Sequence, residues 1–271
     1  MTRRLGPLVV ATVVATVVSL STGSAAAATY PTWGVAPVGA NDWTCRPTAE
    51  HPYPAVIVHG TFGDQKSLLD NLSLALVRDG HCVYSFDYGN RATGPIEESA
   101  QQLKTFVDDV LAATGAAEVQ IVGHSQGGMM PRYYIKNLGG DGLVEDVVGL
   151  VPSNHGTTVQ NGRSSGTWCV SCDQQMAGSD FLTGLNNPDE TPGSADYTQI
   201  TTRYDEVVVP YTSAFLAADA HSRNITLQDR CPADVADHLA IPMDPQAIAW
   251  VVDAFNREGP ADPAAPIGCT G

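Results

Sequence analysis

The chain has 271 residues, enough for one large domain or two small ones with a substantial apolar core. Its 29 acidic residues against 14 basic ones give a formal charge of −15. That balance repels nucleic acid and anionic membranes, and so argues against both as partners.

The chain opens as a secretory leader over residues 1–28. Arg3 and Arg4 form a positive start, an apolar run covers 8–20, and the alanines at 25–28 offer a cleavage site. The run is short for a membrane span and ends in small residues, so no stable membrane anchor is expected. Cleavage would remove two arginines and no acid, shifting the charge from −15 to −17. One domain over 29–271 then remains. All 6 cysteines lie downstream of the leader and read as a disulfide framework of an extracellular protein. Spacing alone does not choose among their pairings.

Residues 30–54 are rich in Pro, Gly and Trp and read as an irregular arm. A buried strand is predicted at 54–58, closed by His59 and Gly60. A helix follows over 68–79, with Leu69, Leu72, Leu76 and Val77 as its apolar stripe. The next strand is 81–86, and the next helix is 97–113, carrying Leu103, Phe106, Val107, Val110 and Leu111 on one side. A strand at 118–122, a helix at 126–138 and a strand at 144–151 continue the alternation. From 152 to 196 the periodicity disappears, and the segment reads as a long excursion. Strands at 197–203 and 224–227 and a helix at 245–256 close the pattern, before a Pro/Ala tail that ends in Cys269. Strands alternating with amphipathic helices imply an α/β fold with a mostly parallel central sheet flanked by helices.

Gly-His-Ser-Gln-Gly at 123–127 sits between a predicted strand and a predicted helix. That setting makes Ser125 the candidate nucleophile of a strand–turn–helix elbow. A second Gly-x-Ser-x-Gly at 162–166, centred on Ser164, has no strand before it and reads as loop. A serine hydroxyl needs an imidazole base, and the imidazole needs a carboxylate to fix its tautomer. In this kind of fold the order is Ser, acid, His. His238 fits as the base because it follows the last strand; His155 and His221 are the alternatives. Asp205 fits as the acid because it follows a strand between the other two; Asp180, Asp196 and Asp219 compete, and Glu206 is expected to point away. The oxyanion donors are assigned to the backbone N–H of Gln126 and of Thr61, with Phe62 next. Some of the apolar surface of Phe62, Met129 and Met130 is expected to line an acyl groove. Cys169-x-x-Cys172 has a metal-like spacing but no second Cys/His pair to match it, and reads as a loop disulfide. No metal or cofactor is implied.

With these residues in place, the chain resembles the secreted bacterial class 2 lipases and esterases of the α/β-hydrolase fold, including small Bacillus lipases and, more closely, actinobacterial secreted enzymes. The resemblance rests on His-Gly-Thr-Phe-Gly-Asp at 59–64, Phe-Asp-Tyr-Gly at 86–89, the stretch 121–137 around Ser125, Tyr-Asp-Glu-Val-Val-Val-Pro at 204–210, and Asp-His-Leu at 237–239. It implies Ser125 as nucleophile, Asp205 as acid, His238 as base, and Thr61 with Gln126 as oxyanion donors. It also implies the pairings Cys45–Cys82, Cys169–Cys172 and Cys231–Cys269. The expected partner is an ester or lipid substrate, met by a secreted monomer. An acyltransferase and a non-catalytic binding protein are the competing readings. The excursion at 152–196 is longer than its counterpart in the small Bacillus enzymes, which puts their open, nearly lidless site in question.

Overall fold

The computed structural model describes residues 1–2, 34–159 and 168–269. All but the first two residues of the expected leader, and Ser164 of the second serine motif, lie outside these. The β-strands β1 (Ala55–Val58), β2 (Val83–Ser85), β3 (Val119–His124), β4 (Val144–Leu150), β5 (Asp196–Thr201) and β6 (Ser222–Thr226) form one 6-stranded sheet. Its order is β2-β1-β3-β4-β5-β6, and every neighbouring pair is parallel.

Side-chain alternation along the strands divides the core into two layers. Val56, Val58, Val119 and Ile121 face one layer, with Leu103, Phe106 and Val110 of helix α3 (Ile96–Thr114) and Met129, Met130 and Tyr134 of α4 (Gln126–Asn137). Ala55, Ile57 and Val122 face the other layer. There they meet Leu72 and Leu76 of α1 (Asp70–Asp79) and Trp250, Val251 and Phe255 of α8 (Pro245–Phe255). Burial on both faces is why the strands read as near-continuous apolar runs. α8 starts where Asp244 accepts from the N–H groups of Gln246 and Ala247, with Pro245 at its first turn.

The chain leaves β1 for β2 on one side, then crosses back to place β3 on the other side of β1. The strand order therefore reverses between β1 and β3, and a crevice opens beyond their carboxyl ends. The predicted oxyanion loop follows β1, and Ser125 follows β3. The topology alone brings them together.

The segment 152–196 is more ordered than its sequence suggests. It holds two short helices, α5 (Val170–Gln174) and α6 (Asp180–Asn186). The connection after β2 contains a single turn, α2 (Gly89–Ala92), whose φ values of 57°, 51°, 59° and 58° are left-handed. A further single turn, α7 (Leu227–Arg230), follows β6. Disulfides join Cys45 to Cys82, Cys169 to Cys172 and Cys231 to Cys269, and no described cysteine is free. Among the described residues, no helix is long and apolar enough to cross a membrane.

Candidate active site

Ser125 stands between β3 and α4 with φ 55° and ψ −122°. Such a backbone costs a residue with a side chain roughly 1–3 kcal/mol, and persists where its surroundings over-determine it. They do so here. A Cβ on Gly123 would lie 2.0 Å from the Gly127 carbonyl oxygen, and one on Gly127 would lie 2.4 Å from that of His59. Only glycine lets strand and helix close this tightly. The Ser125 N–H is held by the Leu150 carbonyl of β4 at 2.9 Å. Gln126 is the first residue of α4, where backbone N–H groups have no carbonyl one turn back to bond. Its N–H and the positive helix end are therefore suited to an anion.

The loop after β1 comes up against this elbow. A Cβ on Gly60 would meet His124 Nδ1 at 2.9 Å and Ser125 Cβ at 3.1 Å, so the close approach needs glycine there. Thr61 Oγ1 donates to Gln126 Oε1 at 2.8 Å and accepts from Gln175 Nε2 at 3.0 Å. Gln175 Nε2 also donates to Gln126 Oε1 at 3.1 Å, and Ser153 Oγ donates to Gln175 Oε1 at 2.8 Å. Four polar side chains thus brace the proposed oxyanion donors. Phe62 lies in the left-handed region at φ 66°. The turn α2 clamps it: its N–H bonds the Arg91 carbonyl at 2.8 Å, and its carbonyl accepts from Arg91 Nε and Nη2 at 3.0 and 2.9 Å. Neither Gln175 nor α2 was legible as part of the site. One lies in the aperiodic excursion, and the other is a short turn whose shape no propensity predicts.

Asp205 and His238 meet on loops beyond the carboxyl ends of β5 and β6. His238 Nδ1 lies 2.9 and 3.0 Å from the two Asp205 oxygens, and the side chains are 3% and 1% exposed. Asp205 Oδ1 also accepts from the N–H groups of Val207 and Val208 at 2.9 and 2.8 Å. A bridge between Tyr204 and Asp237, and a 2.6 Å bond from Thr202 Oγ1 to the Ala236 carbonyl, fasten the two loops together. Glu206 reaches only the backbone N–H of His238, at 3.5 Å. With Nδ1 turned to a carboxylate, Nε2 is the nitrogen left to take a proton. His124, next to Ser125, donates from Nε2 to the His238 carbonyl at 2.8 Å. Burial first, and then the facing His238, push the His124 ring down to about 3, so it stays neutral. His59 is a packing residue, stacked on Tyr88 at 4.3 Å, with its pKa lowered by burial.

The rival residues lie elsewhere. His221 pairs with Asp196 at 2.9 Å before β6, at the amino ends of the strands, and its side chain is 67% exposed. Asp219 caps the His221 N–H with its carboxylate, and Asp180 begins α6. His155 pairs with Glu190 at 2.9 Å in a separate cavity.

A cavity of about 260 Å³ is lined by Thr61, Ser125 and His238, with Phe62, Trp168, Val207 and Leu239 among its apolar walls. Phe62 and Trp168 stack with ring centroids 5.9 Å apart. The expectation for Phe62 holds, but that for Met129 and Met130 fails. Both methionines are fully buried in the layer under α4 and do not line the cavity. α4 turns both side chains away from the rim and into the core layer that also holds Tyr134. The sulfur-bearing residues on the wall are instead Met176 and Cys172, from the excursion.

Comparison with known proteins bears on the family and the fold. The family described as Lipase (class 2) matches residues 52–251. A triacylglycerol lipase of Vibrio cholerae is 41% identical over 85 residues, 30% of this chain and 27% of that protein. One from Pseudarthrobacter phenanthrenivorans is 37% identical over 87 residues, again 30% and 27%. The matched segment thus spans about a quarter of these relatives. Among solved structures, Aspergillus fumigatus lipase B superposes with a TM-score of 0.72 at 20% identity, over 85% of this chain and 57% of that one. Bacillus licheniformis lipase BlEst2 in mature form superposes at 0.63 and 14% identity, over 78% and 94%. Those likenesses establish an α/β-hydrolase fold, and the match over 52–251 shows that the chain belongs to the class 2 lipase family.

Proposed function

We propose that the chain is a secreted serine carboxylic-ester hydrolase that works through an acyl-enzyme. The observation that carries this reading is the buried Asp205–His238 pair, whose histidine lines the same apolar cavity as the strained Ser125. His238 Nε2 takes the Ser125 proton as Oγ bonds to the acyl carbon, and the carbonyl electron pair moves onto oxygen. The backbone N–H groups of Gln126 and Thr61 receive that oxyanion, while Asp205 stabilises the imidazolium. His238 then returns the proton to the leaving alkoxide as the tetrahedral adduct collapses to the acyl-enzyme. A water repeats the sequence, giving its proton to His238 and its oxygen to the acyl carbon, and Ser125 is regenerated.

The substrate class follows from the walls. A cavity of about 260 Å³ with valine, leucine and aromatic faces suits a short to medium acyl chain, since each buried methylene gains about 0.8 kcal/mol. Three disulfides favour an oxidising compartment outside the cell. Turnover of p-nitrophenyl esters and tributyrin, with casein left intact and EDTA without effect on the rate, is the expected profile. Ser125→Ala should remove about a millionfold of turnover while leaving the fold intact. A fluorophosphonate should label Ser125 in the parent and nothing in the variant. Retained turnover in Ser125→Ala, or proteolysis without esterolysis, would overturn this reading.

A further inference from the structure

At the opposite end of the sheet from Ser125, three metal-ligating side chains converge. His51 precedes β1, Asp79 ends α1 and His81 precedes β2, so all three lie by the amino ends of parallel strands. One nitrogen from each ring and one Asp79 oxygen lie within 4.8 Å of one another. His81 Nε2 is 3.2 Å from Asp79 Oδ2, and the two rings have centroids 4.4 Å apart. His51 and His81 are only 9% and 4% exposed. Yet His51 Nδ1 has no hydrogen-bond partner. The His81 ring itself lies within hydrogen-bond reach of the Tyr53 backbone and the Asp79 carboxylate. A buried ring nitrogen is ordinarily satisfied, so His51 Nδ1 calls for a partner that the protein groups around it do not supply.

We propose that His51, Asp79 and His81 bind one divalent transition-metal ion, with zinc as the best fit, and that the ion fastens the N-terminal arm to the sheet. Two nitrogens and one carboxylate oxygen suit zinc, whereas calcium and magnesium prefer all-oxygen shells. Zinc–nitrogen bonds of 2.0–2.1 Å in a tetrahedron set ligand atoms roughly 3.3 Å apart. The His81–Asp79 approach already has that spacing. Asp79, with its side chain 28% exposed, leaves the fourth position open to water.

The scaffold holds the ligands before any ion arrives. The Cys45–Cys82 bridge ties the arm to the residue after His81. Thr48 and His51 bond reciprocally, N–H to carbonyl at 3.2 Å and N–H to hydroxyl at 3.1 Å, which fixes the His51 turn. Gly80, left-handed at φ 113°, lets the chain reverse between Asp79 and His81 while the His51 ring lies across it. Asn256 Nδ2, just after α8, donates to Asp79 Oδ2 at 2.7 Å and orients that carboxylate, as outer partners of metal ligands do. Four parts of the chain meet here: the arm, α1, the approach to β2, and the end of α8.

The test uses the full chain, stripped with a chelator, dialysed, and titrated calorimetrically with zinc, calcium and magnesium chlorides. Zinc should bind at one equivalent per chain. At a free concentration on the order of a hundred times Kd it should raise Tm by roughly 5–10 °C. Calcium and magnesium should give neither response. His51→Gln and Asp79→Asn should each weaken zinc binding at least tenfold, while His221→Gln, altering a surface histidine elsewhere, should leave it unchanged. Asp79→Asn changes a partly exposed side chain and keeps the fold, so it decides the matter even where a buried histidine variant misfolds. Hydrolysis of a soluble p-nitrophenyl ester at 25 °C should be the same with and without zinc. Absence of stoichiometric zinc binding, or undiminished binding in Asp79→Asn, overturns the proposal.

Discussion

Asp205 meets two sets of partners through one carboxylate. Oδ1 is held by the Val207 and Val208 N–H groups, and both oxygens face His238 Nδ1. Asp205→Asn would keep the shape, but its amide can present an N–H to Nδ1 and favour the wrong tautomer. A loss of up to about ten-thousandfold in kcat is expected, with Asp180→Asn and Asp196→Asn near neutral; a small loss in Asp205→Asn would move the acid elsewhere. Gln175 offers a second test at this scale, because it bonds the side chains of both Thr61 and Gln126 without lining up as acid or base. Gln175→Ala should lower kcat by tenfold or more with little change in KM, the pattern of an interaction made in the transition state. A rise in KM alone would assign Gln175 to substrate binding instead. Ser125, Asp205 and His238, the proposed triad, could be singled out in the sequence because chain order and strand ends constrain them. Gln175 was not, since nothing in an aperiodic segment says which amide will turn inward. Met129 and Met130 were misread for a related reason: adjacency to Ser125 in sequence is not adjacency to the cavity.

At the scale of elements, legibility followed burial. β1, β3, α3 and α8 sit in the two core layers, so their periodicities matched the structure to within a few residues. The short helices α5 and α6 bury only a few side chains each, and their placement depends on polar contacts such as the Gln174 Oε1 bond to the Ile96 N–H at 2.8 Å. Such contacts leave no period in the sequence. The disulfides divide along the same line. Cys45–Cys82 and Cys231–Cys269 close separations of 37 and 38 residues, and bridges over loops of that size typically contribute about 2–4 kcal/mol. Replacing either pair by alanine should lower Tm by roughly 4–16 °C. Cys169–Cys172 spans only 3 residues, and Cys172 lines the cavity. Its replacement by serines should scarcely move Tm but should raise KM for the longer esters. Scanning calorimetry and a chain-length series separate the two effects, and equal thermal losses for all three bridges would contradict this division.

At the scale of the whole molecule, the folded state keeps several ionisable groups in their neutral forms, and these act on stability with opposite signs. His124 and His59 are buried, and desolvation lowers both, His124 to about 3. Between an ordinary histidine value near 6.5 and those lowered values, the unfolded chain binds protons that the folded chain refuses. Stability is therefore present above pH about 6.5 and is lost as pH falls, with a slope up to about 1.4 kcal/mol per pH unit for each such ring. Asp146 works in the other direction. Burial raises it well above the ordinary carboxyl value, so the folded chain holds a proton that the unfolded chain releases, and stability is lost as pH rises through its folded value. His124 should dominate between pH 7 and 5, because its window, from about 6.5 down to about 3, covers most of that range. The carboxyls that burial raises, Asp146 with Glu145 and Asp244, act upward from the ordinary carboxyl range. Urea unfolding at pH 7 and pH 5 should show a lower free energy at pH 5 in the parent and a smaller drop in His124→Asn, whose side chain has no proton to refuse. Asp146→Asn should steepen the parental drop by removing the opposing term. A free energy that is level or rises from pH 7 to pH 5 would mean that these rings are not held neutral by the fold.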